Sequence, residues 1–224
     1  MTNHDRESRL DYYRTEFLKL RSALHDRTTD LPAVPALTPQ VRKMLDARHH
    51  VGVLHVEVAN LDVVESLYGW QVFDEVLEVV AEVLRAELAG TLPSGSVLGI
   101  NGVGGDHFAV FVPEQPSGDE VEMAWLAELA TRIRSDLESA FDTDGFTGLS
   151  PKLVIETGHA LLSEDPFYRF ERRIHAAVDE ARTHSTRREK LRERSWGEEL
   201  KRIIRDANVS TVFQPVVDLV TREI

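Results

Sequence analysis

The stretch that decides the fold is Gly102-Val103-Gly104-Gly105-Asp106-His107-Phe108, followed by Ala109-Val110-Phe111-Val112-Pro113. The second part is an apolar run typical of a β-strand. Adjacent glycines beside an acidic residue favour the tip of a β-hairpin, where the missing Cβ lets the backbone approach a phosphate. Such a turn on its own is more often only a hairpin, so a functional interpretation needs matching motifs elsewhere in the chain.

Three other segments carry such motifs. Residues 51–58 alternate like a half-buried strand, and 68–77 follow with Y-G-W-Q-V-F-D-E-V-L. Residues 152–160 read as a later strand, K-L-V-I-E-T-G-H-A, and 26–32 as an entry segment, D-R-T-T-D-L-P. Together with the hairpin, these segments resemble a GGDEF domain, the catalytic module of diguanylate cyclases, and G-G-D-H-F stands in place of its signature. Six residues fall on the family spacing upstream of the hairpin: Glu57, Glu65, Tyr68, Gly69, Asp74 and Leu77.

A second resemblance lies at the end of the chain. Residues 212–219, V-F-Q-P-V-V-D-L, are similar to the opening strand of an EAL domain, the phosphodiesterase module that often follows GGDEF in one polypeptide. The sequence stops at Ile224, before an EAL signature. We therefore expect a fragment of a GGDEF-EAL protein that carries the first strand of a truncated EAL domain.

Composition excludes several classes of protein. The chain has 224 residues, 42% of them hydrophobic, which is ordinary for a globular protein. It has no run of 18 apolar residues and no secretory signal, so we expect a cytoplasmic location and no membrane contact in this fragment. The absence of cysteine excludes disulfides and thiolate metal sites. A net charge of −12 argues against binding a nucleic acid polymer.

Strands and helices that alternate around an antiparallel hairpin predict an α/β (α+β) fold. We expect a ferredoxin-like or polymerase-palm sheet flanked by helices, with an N-terminal signalling helix. The predicted strands are 51–58, 96–100 and 152–162 beside the hairpin, and the predicted helices are 39–47, 62–67, 71–90, 119–141 and 167–185. The predicted domains are an N-terminal helix (1–27), a degenerate GGDEF domain (28–186), a linker helix (187–209) and the first EAL strand (210–224).

The N-terminal helix carries an apolar stripe in steps of three and four, formed by Leu10, Tyr13, Phe17, Leu20 and Leu24. Two interpretations remain open. One is a parallel coiled coil that makes the protein a homodimer. The other is an amphipathic helix that lies on its own domain. The linker is dense in both signs of charge, which is typical of a solvated helix with ion pairs four residues apart.

The resemblance implies a chemistry. Diguanylate cyclases join two GTP molecules into cyclic di-GMP and use Mg²⁺ held by carboxylates. On this template Glu57 and Asp106 are the metal ligands, and Asp106 and His107 take the catalytic positions. Glu57 is one methylene longer than the family's aspartate, which displaces its oxygens from an octahedral site. The plain alternative is that Glu57 is a polar strand residue and Asp106 a turn former.

His107 replaces the fourth, acidic residue of the signature. A histidine can act as a general base near neutral pH, but it brings no permanent negative charge. We therefore expect inefficient turnover. An exposed hairpin histidine without a function is the alternative. A metal cluster of His49, His50 and His55 is disfavoured, because these residues mix strand and loop spacing.

The expected nucleotide contacts are only partly retained. Asp74 can accept from the guanine edge, whereas Glu65 loses the donor that the family's asparagine offers. The resemblance also implies backbone contacts at Gly104 and Gly105 and a phosphate contact at Lys190. Further departures from the family pattern are bulky or uncharged residues at Trp70, Phe73 and Thr186.

Three functions remain. We favour a degenerate GGDEF domain, weak or inactive as a cyclase, that regulates and dimerises a downstream EAL phosphodiesterase and has GTP or cyclic di-GMP as its ligand. The second is a working diguanylate cyclase that tolerates Glu57 and His107. The third is an interaction scaffold that binds no nucleotide.

Overall fold

The computed structural model describes residues 12, 13, 24–101, 106–142, 145, 146, 148, 149 and 152–184. Several predictions therefore lie outside the described residues. They concern most of the N-terminal helix with its stripe, the contacts at Gly104, Gly105, Thr186 and Lys190, the linker helix and the EAL strand. These stay predictions.

A four-stranded antiparallel sheet forms the centre of the domain. Its strands are β1 (His50–Val58), β2 (Val97–Asn101), β3 (His107–Val112) and β4 (Ile155–Ser163), and they lie in the order β2-β3-β1-β4. This order places the hairpin strand β3 between β1 and β2, as in a ferredoxin-like fold. The predicted fold class is confirmed.

Helices cover both faces of this sheet. They are α1 (Val34–Ala47), α2 (Leu61–Tyr68), α3 (Trp70–Gly90), α4 (Met123–Phe141) and α5, whose described part is 170–184. Buried residues of α1 and α5 form one apolar cluster with the sheet, and those of α2, α3 and α4 form another with its opposite face. Within the described part of the chain, no helix is both long enough and apolar enough to cross a bilayer.

The pleat of the strands decides which side chains meet. Val51 of β1 belongs to the cluster with α1 and α5, whereas Leu54 belongs to the cluster with α2, α3 and α4. Because side chains alternate along a strand, His55 and Glu57 lie on the face covered by α1 and α5. His107 of β3 lies on the same face, since it pairs directly with Glu57.

The start of α1 corrects one prediction. The sequence places a helix break over 31–39, but α1 begins at Val34 and contains Pro35 and Pro39. Pro35 stands in the first turn, where a backbone N–H has no intrahelical acceptor, so proline costs little there. Other boundaries differ by a few residues: α4 begins at Met123 rather than at 119, and β4 begins at Ile155 rather than at 152.

The entry segment folds as a tight turn. Asp26 Oδ2 accepts hydrogen bonds from the backbone N–H of Thr28 at 3.1 Å and of Thr29 at 2.7 Å. Asp30 has a φ of 51° in the left-handed region, at the position where the family pattern has glycine. After this turn the carbonyl of Pro32 accepts from the backbone N–H of Ile100 at 2.9 Å, which ties the segment to the edge strand β2.

The contact between the entry segment and β2 leads to a stability prediction. A Cβ at Gly99 would lie 2.6 Å from Leu37 Cδ1 and 2.8 Å from the carbonyl oxygen of Pro32. We therefore expect Gly99→Ala to lower the free energy of unfolding by about 1 to 3 kcal/mol, the usual cost of overpacking. Urea denaturation measures it. Gly90→Ala is the matched control, because no heavy atom lies within 4 Å of its added Cβ. An equal effect of both substitutions would contradict the prediction.

Candidate functional site

Two neighbouring strands bring His55, Glu57 and His107 together. His55 and Glu57 stand two residues apart on β1, and His107 is the direct partner of Glu57 on β3. His107 Nδ1 lies 2.6 Å from Glu57 Oε2, and His55 Nε2 lies 3.6 Å from the same oxygen. The two imidazole rings are 5.4 Å apart between centroids. We call these three residues the His-Glu-His cluster.

His55 is the most deeply buried member of the cluster. Its side chain is 0% exposed, and neither ring nitrogen has a hydrogen-bond partner among the described residues. Burial lowers the pKa of its imidazole from 6.5 to about 4, because the protein interior disfavours the charged form. Glu57 opposes this shift, whereas His107 and Arg182 add to it.

Glu57 is held by positive or potentially positive groups. Burial would raise the pKa of its carboxyl, but the contact with His107 and the positive charge that His55, His107 and Arg182 can carry outweigh burial and lower it. His107 Nδ1 lies within charge-assisted hydrogen-bond distance of Glu57 Oε2, and this contact is the largest of the effects that lower the pKa of Glu57. Arg182 Nε of α5 lies 3.7 Å from Oε2.

The structure places His107 differently from the exposed hairpin histidine that was one alternative. Its side chain is only 19% exposed, and it begins β3. Its second ring nitrogen, Nε2, lies 3.7 Å from Asp106 Oδ1. His107 therefore contacts both carboxylates that the resemblance assigns to metal binding.

The residues present fit Mg²⁺ poorly. The diguanylate cyclases that the sequence resembles use Mg²⁺ with GTP, and that ion needs oxygen ligands in near-octahedral geometry. Among the described residues, the ligand atoms that converge around Glu57 are two imidazole nitrogens, and Asp106 does not belong to that group. A guanidinium also faces the Glu57 oxygen. No chemical step through Mg²⁺ follows from this arrangement.

The residues expected to read guanine lie on α2 and α3. Asp74 is half-buried, and its Oδ1 accepts a hydrogen bond from Thr28 Oγ1 at 3.1 Å. Glu65 is exposed on α2. Trp70 is 62% exposed, so its indole projects into solvent, and Phe73 packs partly against the core.

A surface cavity elsewhere in the fold involves none of these residues. It is lined by Arg42, Ser163, Tyr168 and their neighbours, at the end of the sheet where Ser163 pairs with His50. Glu57 pairs with Glu156 near the other end of β4. This cavity is therefore not a candidate for the predicted nucleotide chemistry.

Sequence reasoning missed two members of the site. His55 lies near His49 and His50 in the sequence, and this grouping hides its relation to Glu57. Its spacing of two residues from Glu57 was the available signal, since residues i and i+2 of a strand share a face. Arg182 carried no local signal, because only the packing of α5 on the sheet brings it to Glu57.

Known structures share this fold. The coiled coil and GGDEF domain of DgcB from Caulobacter crescentus, in complex with c-di-GMP, aligns with a TM-score of 0.58 and 15% identity over 80% of this chain and 88% of that one. A sensory box/GGDEF family protein from Caulobacter crescentus CB15 aligns with a TM-score of 0.55 and 19% identity over 73% and 98%. The S helix-GGDEF-EAL portion of LapD from Vibrio cholerae, bound to c-di-GMP, aligns with a TM-score of 0.55 and 12% identity over 88% and 46%.

The sequence itself matches a family model. No curated protein matches the chain significantly. The model described as "Diguanylate cyclase, GGDEF domain" matches residues 23–190, well over half of the chain, and the solved structures show the same fold at low identity. The chain belongs to the GGDEF domain family, the domain of cyclic di-GMP signalling.

Proposed function

We propose that this GGDEF domain works as a regulatory module rather than as an efficient cyclase. In this proposal it binds GTP weakly, dimerises, and controls a downstream EAL phosphodiesterase. The observation that carries the proposal is that positive or potentially positive side chains contact the Glu57 carboxylate. This carboxylate, which the family uses for a metal ion, is in contact with His107 at 2.6 Å and with Arg182 at 3.7 Å.

These contacts argue against efficient catalysis on electrostatic grounds. A Mg²⁺ ion bound to nucleotide phosphates needs oxygen ligands, and Glu57 instead faces two imidazoles and the positive guanidinium of Arg182. Replacement of the family's acidic residue by His107 removes a further negative charge from the same place. Transition-state charge is stabilised best by groups that are already in position before the reaction. The loss of this negative charge therefore lowers mainly the turnover rate.

Nucleotide binding is supported by Asp74. This carboxylate is retained at the family's guanine position, and it is half-buried rather than packed inside the core. Its hydrogen bond from Thr28 uses one oxygen, so the second remains to accept from a guanine N–H. Glu65 is exposed and contributes a second carboxylate, which lowers rather than raises the expected affinity.

The proposed dimer and the EAL partner rest on sequence. The apolar stripe of residues 10–24 supports a coiled coil, and residues 212–219 support the start of an EAL domain. One structural relative, LapD of Vibrio cholerae, contains an S helix, a GGDEF and an EAL domain. The same arrangement is proposed for the full protein here.

An active cyclase is the second candidate. It is favoured by Asp106, whose side chain is 37% exposed at the start of the hairpin strand and whose acidic character is retained. A scaffold that binds no nucleotide is the third candidate, and retention of Glu57, Asp74 and Asp106 argues against it.

GTP titration by calorimetry tests the binding proposal. We expect weak binding of GTP in preference to ATP. Substitution Asp74→Ala should reduce the affinity for GTP about tenfold to a hundredfold, because it removes a charge-assisted hydrogen bond worth about 1.5 to 3 kcal/mol. Glu75→Ala is the matched control, since Glu75 is the exposed neighbour on the same helix.

A second control separates binding from stability. Thr28→Val removes the hydrogen bond to Asp74 but keeps the carboxylate, so it should lower the stability slightly and leave GTP binding in place. No heat with GTP at millimolar concentration, or equal affinity for ATP, would favour the scaffold instead.

A further inference from the structure

We propose that the His-Glu-His cluster is a binding site for one divalent transition-metal ion of the Zn²⁺ type. His55, Glu57 and His107 supply two imidazole nitrogens and one carboxylate oxygen. His55 is absent from the ligand set that the family resemblance implies. The proposal does not depend on nucleotide binding or on the regulatory role argued above.

The strand register supplies the geometry. Positions i and i+2 of β1 and the directly paired residue of β3 form a small triangle on one face of the sheet. Their ligand atoms all lie within 4.8 Å of one another. Metal–ligand bonds of about 2.0 to 2.1 Å in a tetrahedral site separate ligand atoms by about 3.3 Å. The present 3.6 Å and 2.6 Å separations from Glu57 Oε2 therefore need only small side-chain rotations.

The buried imidazole of His55 is the second, independent observation. Both of its nitrogens are buried and lack a hydrogen-bond partner among the described residues. A buried polar atom without a partner costs roughly 1 to 3 kcal/mol, so native structures rarely keep one without a reason. A metal ion bound to Nε2 would satisfy the nitrogen that faces Glu57.

The donor set selects the class of metal. Imidazole nitrogens with a carboxylate suit Zn²⁺ and its first-row neighbours, whereas Mg²⁺ and Ca²⁺ prefer oxygen. The side chain of His107 adds support, because its Nε2 faces Asp106 Oδ1 at 3.7 Å when Nδ1 faces the cluster. A carboxylate behind a histidine ligand is the usual outer shell of such sites. Glu156 lies directly across from Glu57 on β4, so a further carboxyl group stands beside the cluster.

Arg182 opposes the metal. Its guanidinium faces the same Glu57 oxygen at 3.7 Å and must withdraw when a cation binds. Its side chain is 53% exposed, so solvent can receive the charge. Arg182→Ala should therefore strengthen metal binding, which an ordinary surface histidine site would not show.

The test uses chelator-treated protein without nucleotide. Calorimetric titration with Zn²⁺ should give one tight equivalent per chain, and Co²⁺ should give the visible absorption of a nitrogen- and oxygen-ligated ion. His107→Gln and His55→Gln should each weaken Zn²⁺ binding at least about a hundredfold, since loss of even an outer-shell partner costs about tenfold to a hundredfold. His50→Gln is the matched control, because His50 stands at the other end of β1 and contacts Ser163.

Each outcome decides the proposal. Circular dichroism checks the fold of every variant, and His107→Gln remains informative if the buried substitution His55→Gln unfolds the domain. Loss of the tight equivalent in His107→Gln, with retention in His50→Gln, supports the site. Absence of tight Zn²⁺ binding in the unsubstituted protein, or a tight equivalent that survives His107→Gln, overturns it. Mg²⁺ that competes equally with Zn²⁺ for the site also overturns it.

Discussion

With GTP and Mg²⁺ the protein is expected to form cyclic di-GMP at least about a hundredfold more slowly than an efficient GGDEF cyclase, the usual cost of losing an acid–base or charge-stabilising group. His107 stands at the position of a family acid. Its imidazole is engaged with Glu57, and its other nitrogen faces Asp106. Glu57 and Asp106 therefore both lie beside His107. Its imidazole repels a cation whenever it is protonated.

Product formation followed by chromatography measures this turnover, and an efficient GGDEF cyclase assayed in parallel sets the scale. His107→Glu restores the family residue and should raise the rate if His107 is the main defect. Glu75→Ala, on an exposed position of α3, should leave any residual rate unchanged. Turnover of the unsubstituted protein at the rate of the reference cyclase, abolished by Asp106→Ala, would show that the domain is an active enzyme.

The fold was predictable from sequence because its signals are local. The strand over 51–58, the hairpin strand and the long apolar helices are each signalled within one element, and the structure contains all of them within a few residues. The half-buried character predicted for 51–58 is wrong, because helices cover both faces of the sheet and residues 51–58 are all buried. The start of α1 was not predictable, since prolines usually end helices. Pro35 is compatible with α1 because it stands in the first turn, whereas Pro39 lies inside the helix. Element boundaries depend on capping and tertiary contacts, which sequence periodicity does not contain.

The site was harder to predict because its contacts are not local. Glu57 and Asp106 were found through spacing alone, but their neighbours were not. The pairing of Glu57 with His107 depends on the register between β1 and β3, and the approach of Arg182 depends on the packing of α5. Burial of His55 follows from the packing of α1 and α5 on its face of the sheet. Sequence alone predicts an open Mg²⁺ site at Glu57. The contacts with His107 and Arg182 and the burial of His55 make it a cluster rich in nitrogen instead.

Acid should destabilise the metal-free domain through His55. Its pKa is 6.5 when the chain is unfolded and about 4 when folded, so between these values the unfolded state binds more protons. Stability therefore falls as the pH is lowered from about 6.5 to about 4. The difference in pKa corresponds to about 3 kcal/mol of unfolding free energy for this group. The lowered pKa of Glu57 acts in the same direction, below 4.5.

Urea denaturation in the presence of a chelator, at pH 7 and near pH 4, measures the effect. Other groups also titrate in this range, so the informative quantity is the difference between the unsubstituted protein and His55→Gln. Glutamine keeps a polar side chain but does not titrate, and the groups that face His55, namely Glu57, His107 and Arg182, remain in place. The unsubstituted protein should lose about 3 kcal/mol more than the variant over this range. Parallel pH profiles would mean that His55 is equally protonated in the folded and unfolded chains, and that water reaches its ring in solution.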